Sequence, residues 1–235
     1  MKIVCMCFTL SVILMFCNNK ITNETIKIPI IYHFLYDTSR YNQTYLRHDS
    51  NSIKIEHDAL NQIFEGKILF ENFIYQTHYF NKTLYEVFRN YVYHDQSYLD
   101  FIVDSWSVKG YLNVFILRTE TVDGYVLNGF TPLSIYEESV FKSPKHDNVY
   151  ISFDALFEYT AGATLAHEIG HWLTLKHPFQ GQMTLKEQYD MGLYSKDIIC
   201  TNIMNYNCYV KNFTIQQLNT MVSAAKKYRY YLIEN

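Results

Sequence analysis

The 235-residue chain predicts an α/β fold on a mixed, mostly parallel sheet, and three observations carry that prediction. Residues 111–117 are a short, nearly continuous apolar run, the pattern of a strand buried on both faces. Around this run, strand-like segments interleave with segments whose apolar residues recur at helical spacing. The composition is 49% hydrophobic, and no stretch is dominated by Pro, Gly or charge, so there is material for a sizeable core and no sign of a disordered tail.

Residues 1–18 read as a signal peptide outside the fold. Lys2 supplies a positive start, residues 3–17 an apolar core, and Asn18, Asn19 and Lys20 a polar end. At about 15 residues the run falls short of the roughly 20 that span a bilayer, with an uncleaved anchor as the alternative. Residues 19–235 then form a single domain, with an upper lobe at about 25–175 and a lower lobe at about 176–235.

β-Branched and aromatic residues make 25–36 a strand. A helix starts near Ile53, turns Ile55, Leu60, Ile63 and Phe64 toward one face and stops at Gly66. Residues 68–80 form a strand, and 83–93 and 96–106 are helical, the first through Leu84, Val87, Phe88 and Tyr91. After the buried strand at 111–117, residues 124–131 read as an extended edge segment and 149–153 as another short strand. A helix over about 160–173 packs Leu165, Ile169, Trp172 and Leu173 on the sheet, with Trp172 in the core, while His167 and His171 face outward. Gly170 in that helix costs about 1 kcal/mol relative to Ala, which implies a close approach there. Residues 176–199 are polar and irregular. In the last helix Thr214 and Gln217 make a capping box, and Leu218, Met221, Val222, Ala225 and Tyr228 recur at helical spacing.

The formal charge of -3 and pI near 6.3 provide no basic footprint for nucleic acid, and no Lys/Arg run marks a membrane-binding patch. Chemistry is concentrated in the eleven residues that begin at His167. His167 and His171 are four apart, so a helix places both on one face, where each can offer a ring nitrogen to one ion about 2.0 to 2.1 Å away. Glu168 sits beside them, placed to act as general base on a water activated by that ion. His177 follows six residues after His171, and continued helix would carry it about 240° round and about 9 Å along the axis. The helix must therefore break, and Pro178 favours extended backbone at His177, from which the ring can return. Three ligands with one open position suit a catalytic zinc site, whereas a structural one is more often closed by four.

The run His167-Glu168-Ile169-Gly170-His171 with His177 resembles the long zinc signature of the metzincin peptidases, and Ile169-Gly170 and Trp172-Leu173 bring it closest to the pappalysin (cytophagalysin) family. Asn202-Ile203-Met204-Asn205-Tyr206 is similar to that family's Met-turn, and Cys208 and Phe213-Thr214-Ile215-Gln216-Gln217 to the segment that follows it. Upstream, residues 28–34 and 111–116 resemble family strands. The resemblance implies a two-lobed metzincin-type catalytic domain, with the active-site helix in the upper lobe and the Met-turn and terminal helix in the lower. It also implies zinc-dependent hydrolysis of protein or peptide substrates, Met204 as a floor beneath the histidines rather than a ligand, and Tyr206 as a donor to the carbonyl oxygen. Residue 174 departs from the pattern. Thr174 stands where the family has Gly, and a β-branched residue there with positive φ costs about 1 to 2 kcal/mol.

Removal of the signal peptide takes Cys5, Cys7 and Cys17 and leaves Cys200 and Cys208 on either side of the Met-turn. In a secreted, extracellular protein these two are expected to bond, stabilising by about 2.5 kcal/mol in the chain-entropy model. Sequons at Asn23, Asn42, Asn81 and Asn212 agree with secretion and glycosylation. No stable membrane insertion is expected once the signal is removed.

Two alternatives stand beside the zinc endopeptidase. Glu187, sixteen residues after His171, is a candidate third ligand in place of His177, as in a thermolysin-like arrangement. A binding protein that kept the fold and lost activity through Thr174 is the other. The remaining histidines, His33, His48, His57, His78, His94 and His146, lack ligand spacing. Calcium at Asp190 or Asp197 has no loop motif behind it.

Overall fold

A computed structural model describes residues 25–36, 50–93, 95–122, 124–132, 147–157, 161–178, 183–193, 195–205 and 212–233. The signal peptide, His48, His94, His146, Tyr206 and Cys208 lie outside these residues. Five strands form the main sheet: β1 (Ile26–Tyr36), β2 (Ile68–Tyr79), β3 (Leu112–Leu117), β6 (Gly129–Phe130) and β7 (Asn148–Ser152), in the order β2-β1-β3-β7-β6. β4 (Thr121–Val122) and β5 (Tyr125–Val126) make a separate antiparallel pair. The expected mostly parallel sheet is present, since every neighbour pair in the main sheet is parallel except β6 on β7.

Connection geometry distributes the helices. From β1 the chain passes through α1 (Ser50–Ile63) to β2, and then through α2 (Leu84–Val92) and α3 (Ser97–Trp106) back past β1 to β3. Crossovers of one hand running in opposite directions along a sheet place their helices on opposite faces. Accordingly, Ile28, Ile30, Tyr32 and Phe34 of β1 share a core with Ile53, Leu60 and Phe64 of α1. Leu35 belongs to a second core with Leu84, Val87, Leu99 and Ile102. Helix α4 (Ala163–Trp172), α7 (Ile215–Tyr228) and α8 (Tyr230–Ile233) join the first core. All six residues of β3 are buried, as its continuous apolar pattern implies.

Two readings are corrected. Ile55 is 62% exposed and is not on the inner face of α1. The buried stripe runs Ile53, Glu56, His57, Leu60 and Phe64, and a residue two places from Ile53 is turned about 200° away from it. The segment 176–199 is not irregular throughout, because it holds two short helices, α5 (Leu185–Asp190) and α6 (Lys196–Cys200). A reciprocal capping box between Thr184 and Glu187 starts α5.

Beneath α2 and α3 a polar chain crosses the sheet. Asn113 accepts from the Val108 N–H and donates to the Val108, Tyr111 and Asp147 carbonyls. Its amide oxygen can only accept, so the His33 Nε2 at 3.0 Å carries the proton, and His33 Nδ1 in turn accepts from His78 Nε2 at 3.0 Å. His33 is fully buried against Phe115, and burial pulls its pKa down to about 4. An unfolded histidine titrates near 6.5. The unfolded chain therefore binds the extra proton first, and the stability His33 contributes above about pH 6.5 is lost as pH falls toward 4. Denaturant titrations at several pH values should show this decline in the native chain and a flatter profile in His33→Phe; an unchanged slope would assign the acid sensitivity elsewhere.

Candidate metal centre

Helix α4 is set in place at both ends. At its start Gly162 has φ +72°, and a Cβ there would lie 2.8 Å from the backbone nitrogen of Leu60, so α1 passes too close for any other residue. α4 has no side-chain cap of its own, but the buried Glu56 of α1 accepts from the Gly162 N–H at 2.6 Å. Burial pushes Glu56 up to about 7, with the Gly162 N–H pulling the other way.

At its end, Thr174 adopts φ +76°, the strained conformation expected from its place in the motif. Its N–H bonds to the His171 carbonyl at 2.9 Å, and the Leu175 N–H bonds to the Gly170 carbonyl at 2.8 Å. These two bonds define a Schellman motif, which ends the helix and reverses the chain. His177 follows outside the helix, and Gln188 of α5 donates to the Pro178 carbonyl at 2.8 Å.

The reversal brings the three imidazoles together. Their Nε2 atoms are 3.0, 3.1 and 3.2 Å apart. Ligands 2.0 to 2.1 Å from a tetrahedral ion would be separated by about 3.3 Å, so the spacing fits zinc. Ring chemistry points the same way. His167 Nδ1 lies 2.8 Å from the Ile203 carbonyl and His171 Nδ1 2.8 Å from the Leu175 carbonyl, and both must donate. In the neutral rings the two Nε2 atoms are then bare, and lone pairs facing at 3.2 Å call for a cation. Thr174 thus leaves His177 within reach of the other two. Among the described residues no other group of three metal-capable side chains comes together.

Glu187 is elsewhere engaged. Its carboxylate accepts from the Thr184 N–H at 2.7 Å and pairs with Lys176 at 3.1 Å, outside the histidine cluster. Asp190 pairs with Lys186.

Below the helix, Met204 is fully buried, and a Cβ on Gly170 would lie 2.6 Å from its sulfur. That is the close approach Gly170 implied. The turn carrying Met204 is joined to α7 by a pair of amides: Asn202 Nδ2 donates to Gln217 Oε1 at 2.7 Å, and Gln217 Nε2 donates to Asn202 Oδ1 at 3.1 Å. Gln217 also completes the capping box with Thr214. The expected Cys200 disulfide is corrected: Cys200 is a free, exposed thiol at the end of α6. The buried amide pair, not a covalent bond at Cys200, holds this turn.

Glu168 is buried, with its carboxylate 3.0 Å from the Thr131 hydroxyl. Burial pushes its pKa up to about 8 in the metal-free chain, against the pull of that hydroxyl. Behind the site Trp172 is 1% exposed, a core residue as expected, with the buried Arg229 guanidinium 5.0 Å from its ring centroid. Arg229 pairs with Asp147 at 3.3 Å, and Tyr231 donates to Asp147 at 2.9 Å. Sequence reasoning missed Glu56, Thr131, Asp147 and Arg229 as neighbours of the site, because no local pattern links residues so distant along the chain.

The Peptidase_M43 family model, described as pregnancy-associated plasma protein-A, matches residues 95–226, more than half of the 235-residue chain. No curated protein matches. Among solved structures the chain is similar to one described as a chaperone-substrate complex, at 14% identity and a TM-score of 0.46, covering 88% of this chain and 36% of that one. It is also similar to metalloproteinase-II from Bacteroides fragilis, at 13% identity and a TM-score of 0.45, covering 86% of this chain and 55% of that one. The chain therefore spans about a third and about half of the length of these two proteins.

Thr174→Gly should stabilise the metal-free protein by about 1 kcal/mol, by relieving the positive φ, and leave zinc stoichiometry unchanged. Denaturant unfolding measures this. A loss of stability would show that contacts of the Thr174 side chain outweigh its backbone strain.

Proposed function

Because the chain belongs to the Peptidase_M43 family, we propose that it is a secreted zinc endopeptidase, with His167, His171 and His177 as metal ligands and Glu168 as general base. The observation that carries this reading is the convergence of three Nε2 atoms within 3.2 Å, with a buried glutamate as the residue after His167. Membership implies a metal and protein or peptide substrates.

Bound zinc would supply Lewis-acid polarisation of the attacking water and of the scissile carbonyl. Glu168 accepts the proton of the attacking water and returns it to the departing amine, so the carboxylate ends the cycle as it began. Tyr206, two residues beyond Met204, donates to the carbonyl oxygen as negative charge develops there. His167 and His171 keep their metal-facing nitrogens bare through the Nδ1 bonds to the Ile203 and Leu175 carbonyls. Secretion is supported by the apolar run at residues 3–17 and the polar residues after it. Among the described residues no helix is long and apolar enough to cross a membrane.

The purified chain should bind about one zinc and cleave an unfolded protein in a chelator-sensitive manner. Glu168→Ala should retain the metal and lose about 10²-fold or more in turnover. Zinc should be lost in His177→Ala and kept in Glu187→Ala. A zinc-loaded chain that leaves a broad peptide library uncut would overturn the peptidase reading, and unaltered zinc in His177→Ala would overturn the ligand set.

A further inference from the structure

The edge strand beside α4 presents two consecutive odd-numbered positions to Glu168. β6 pairs antiparallel with β7, with Gly129 opposite Ile151 and Phe130 opposite Tyr150. Phe130 is buried in the second core, stacked on Tyr150 with ring centroids 4.9 Å apart and beside Phe88 at 5.3 Å. Side chains alternate along extended backbone, so anchoring Phe130 on that side directs positions 129 and 131 to the other. Both meet Glu168 there. A Cβ on Gly129 would lie 2.8 Å from Glu168 Cγ and 3.0 Å from Oε1, so the side chain rests directly on the strand backbone. The Thr131 hydroxyl lies 3.0 Å from Glu168 Oε2 and 2.9 Å from the Glu168 carbonyl oxygen. It is the one hydrogen-bond partner of the buried carboxylate among the described residues.

Resting on the peptidase reading above, we propose that Thr131 is a positioning residue for the general base, and that Gly129 is the clearance which lets Glu168 lie against the edge strand. A buried carboxylate with a single partner has no other group to fix its direction. Removing the hydroxyl leaves Oε2 an orphan acceptor, which then turns to find water. The same hydroxyl touches both the backbone and the carboxylate of Glu168, so it registers the side chain against its own helix. It contacts neither the metal ligands nor the scissile bond in this role, and acts only through Glu168.

The test uses the full chain loaded with zinc, as Thr131→Val, Thr131→Ser and Gly129→Ala. Crystal structures report where the Glu168 carboxylate lies, metal analysis reports zinc content, and kinetics on an unfolded protein substrate report kcat and KM separately. In Thr131→Val the carboxylate should leave the edge strand with zinc content unchanged, and kcat should fall about tenfold with KM nearly constant, the loss expected for one hydrogen bond to a charged group. Thr131→Ser should restore both position and turnover. Gly129→Ala should displace the carboxylate although the hydroxyl remains. A Thr131→Val chain whose Glu168 stays in place at native kcat would overturn the proposal. If the native zinc-loaded chain cuts no substrate, the peptidase reading fails, and the carboxylate position in the Val and Ser variants still decides the role of Thr131.

Discussion

Three imidazole nitrogens held within 3.2 Å of one another set the terms for the structure around them. Neutral rings that present bare lone pairs at this distance repel, so without a cation the cluster relies on hydrogen bonds behind the rings. Ile203 and Leu175 do this by accepting from the far nitrogens of His167 and His171. Both acceptors are backbone carbonyls outside α4, which makes the site depend on where two chain turns lie relative to the helix. One is the Schellman reversal at Thr174. The other is the turn that carries Met204.

The surrounding elements are held by buried polar contacts between segments further apart in sequence. Glu56 holds the N-terminus of α4 from α1 across 106 residues. The Asn202–Gln217 amide pair joins the Met204 turn to the last long helix. Asp147, Arg229 and Tyr231 tie the start of β7 to the chain end behind Trp172. Burying charge at Glu56 and Asp147 costs solvation, visible in pKa values raised to about 7 and about 6. Such groups do little for net stability compared with apolar packing, but they specify one arrangement, because a shifted helix would leave them unpaired. Geometry at the metal gains from that specificity.

Much of this was legible in the chain because it is local. The capping box at Thr214 and Gln217, the apolar run of β3 and the four-residue spacing of His167 and His171 follow from backbone periodicity and residue chemistry, whereas the positive φ at Thr174 was expected from the family motif. The misses have equally physical origins. Ile55 looked like core because it is apolar, yet helix periodicity turns it to solvent. The helix α5 was hidden in a polar segment, although Thr184 and Glu187 carry the same capping signature as Thr214 and Gln217. Cys200 was paired by counting cysteines, which cannot show that its thiol points to solvent.

The amino-acid order alone provided two histidines at metal-ligand spacing on one helix, a carboxylate next to the first, an obligatory break before His177 and the family resemblance. Those conclusions need only spacing and residue chemistry. Three things depended on the folded arrangement: His177 rather than Glu187 joins the other two histidines, Met204 lies against Gly170, and Thr131 reaches the carboxylate of Glu168. Each is a contact between segments that approach only when the sheet and its crossovers are complete, so no local pattern contains it.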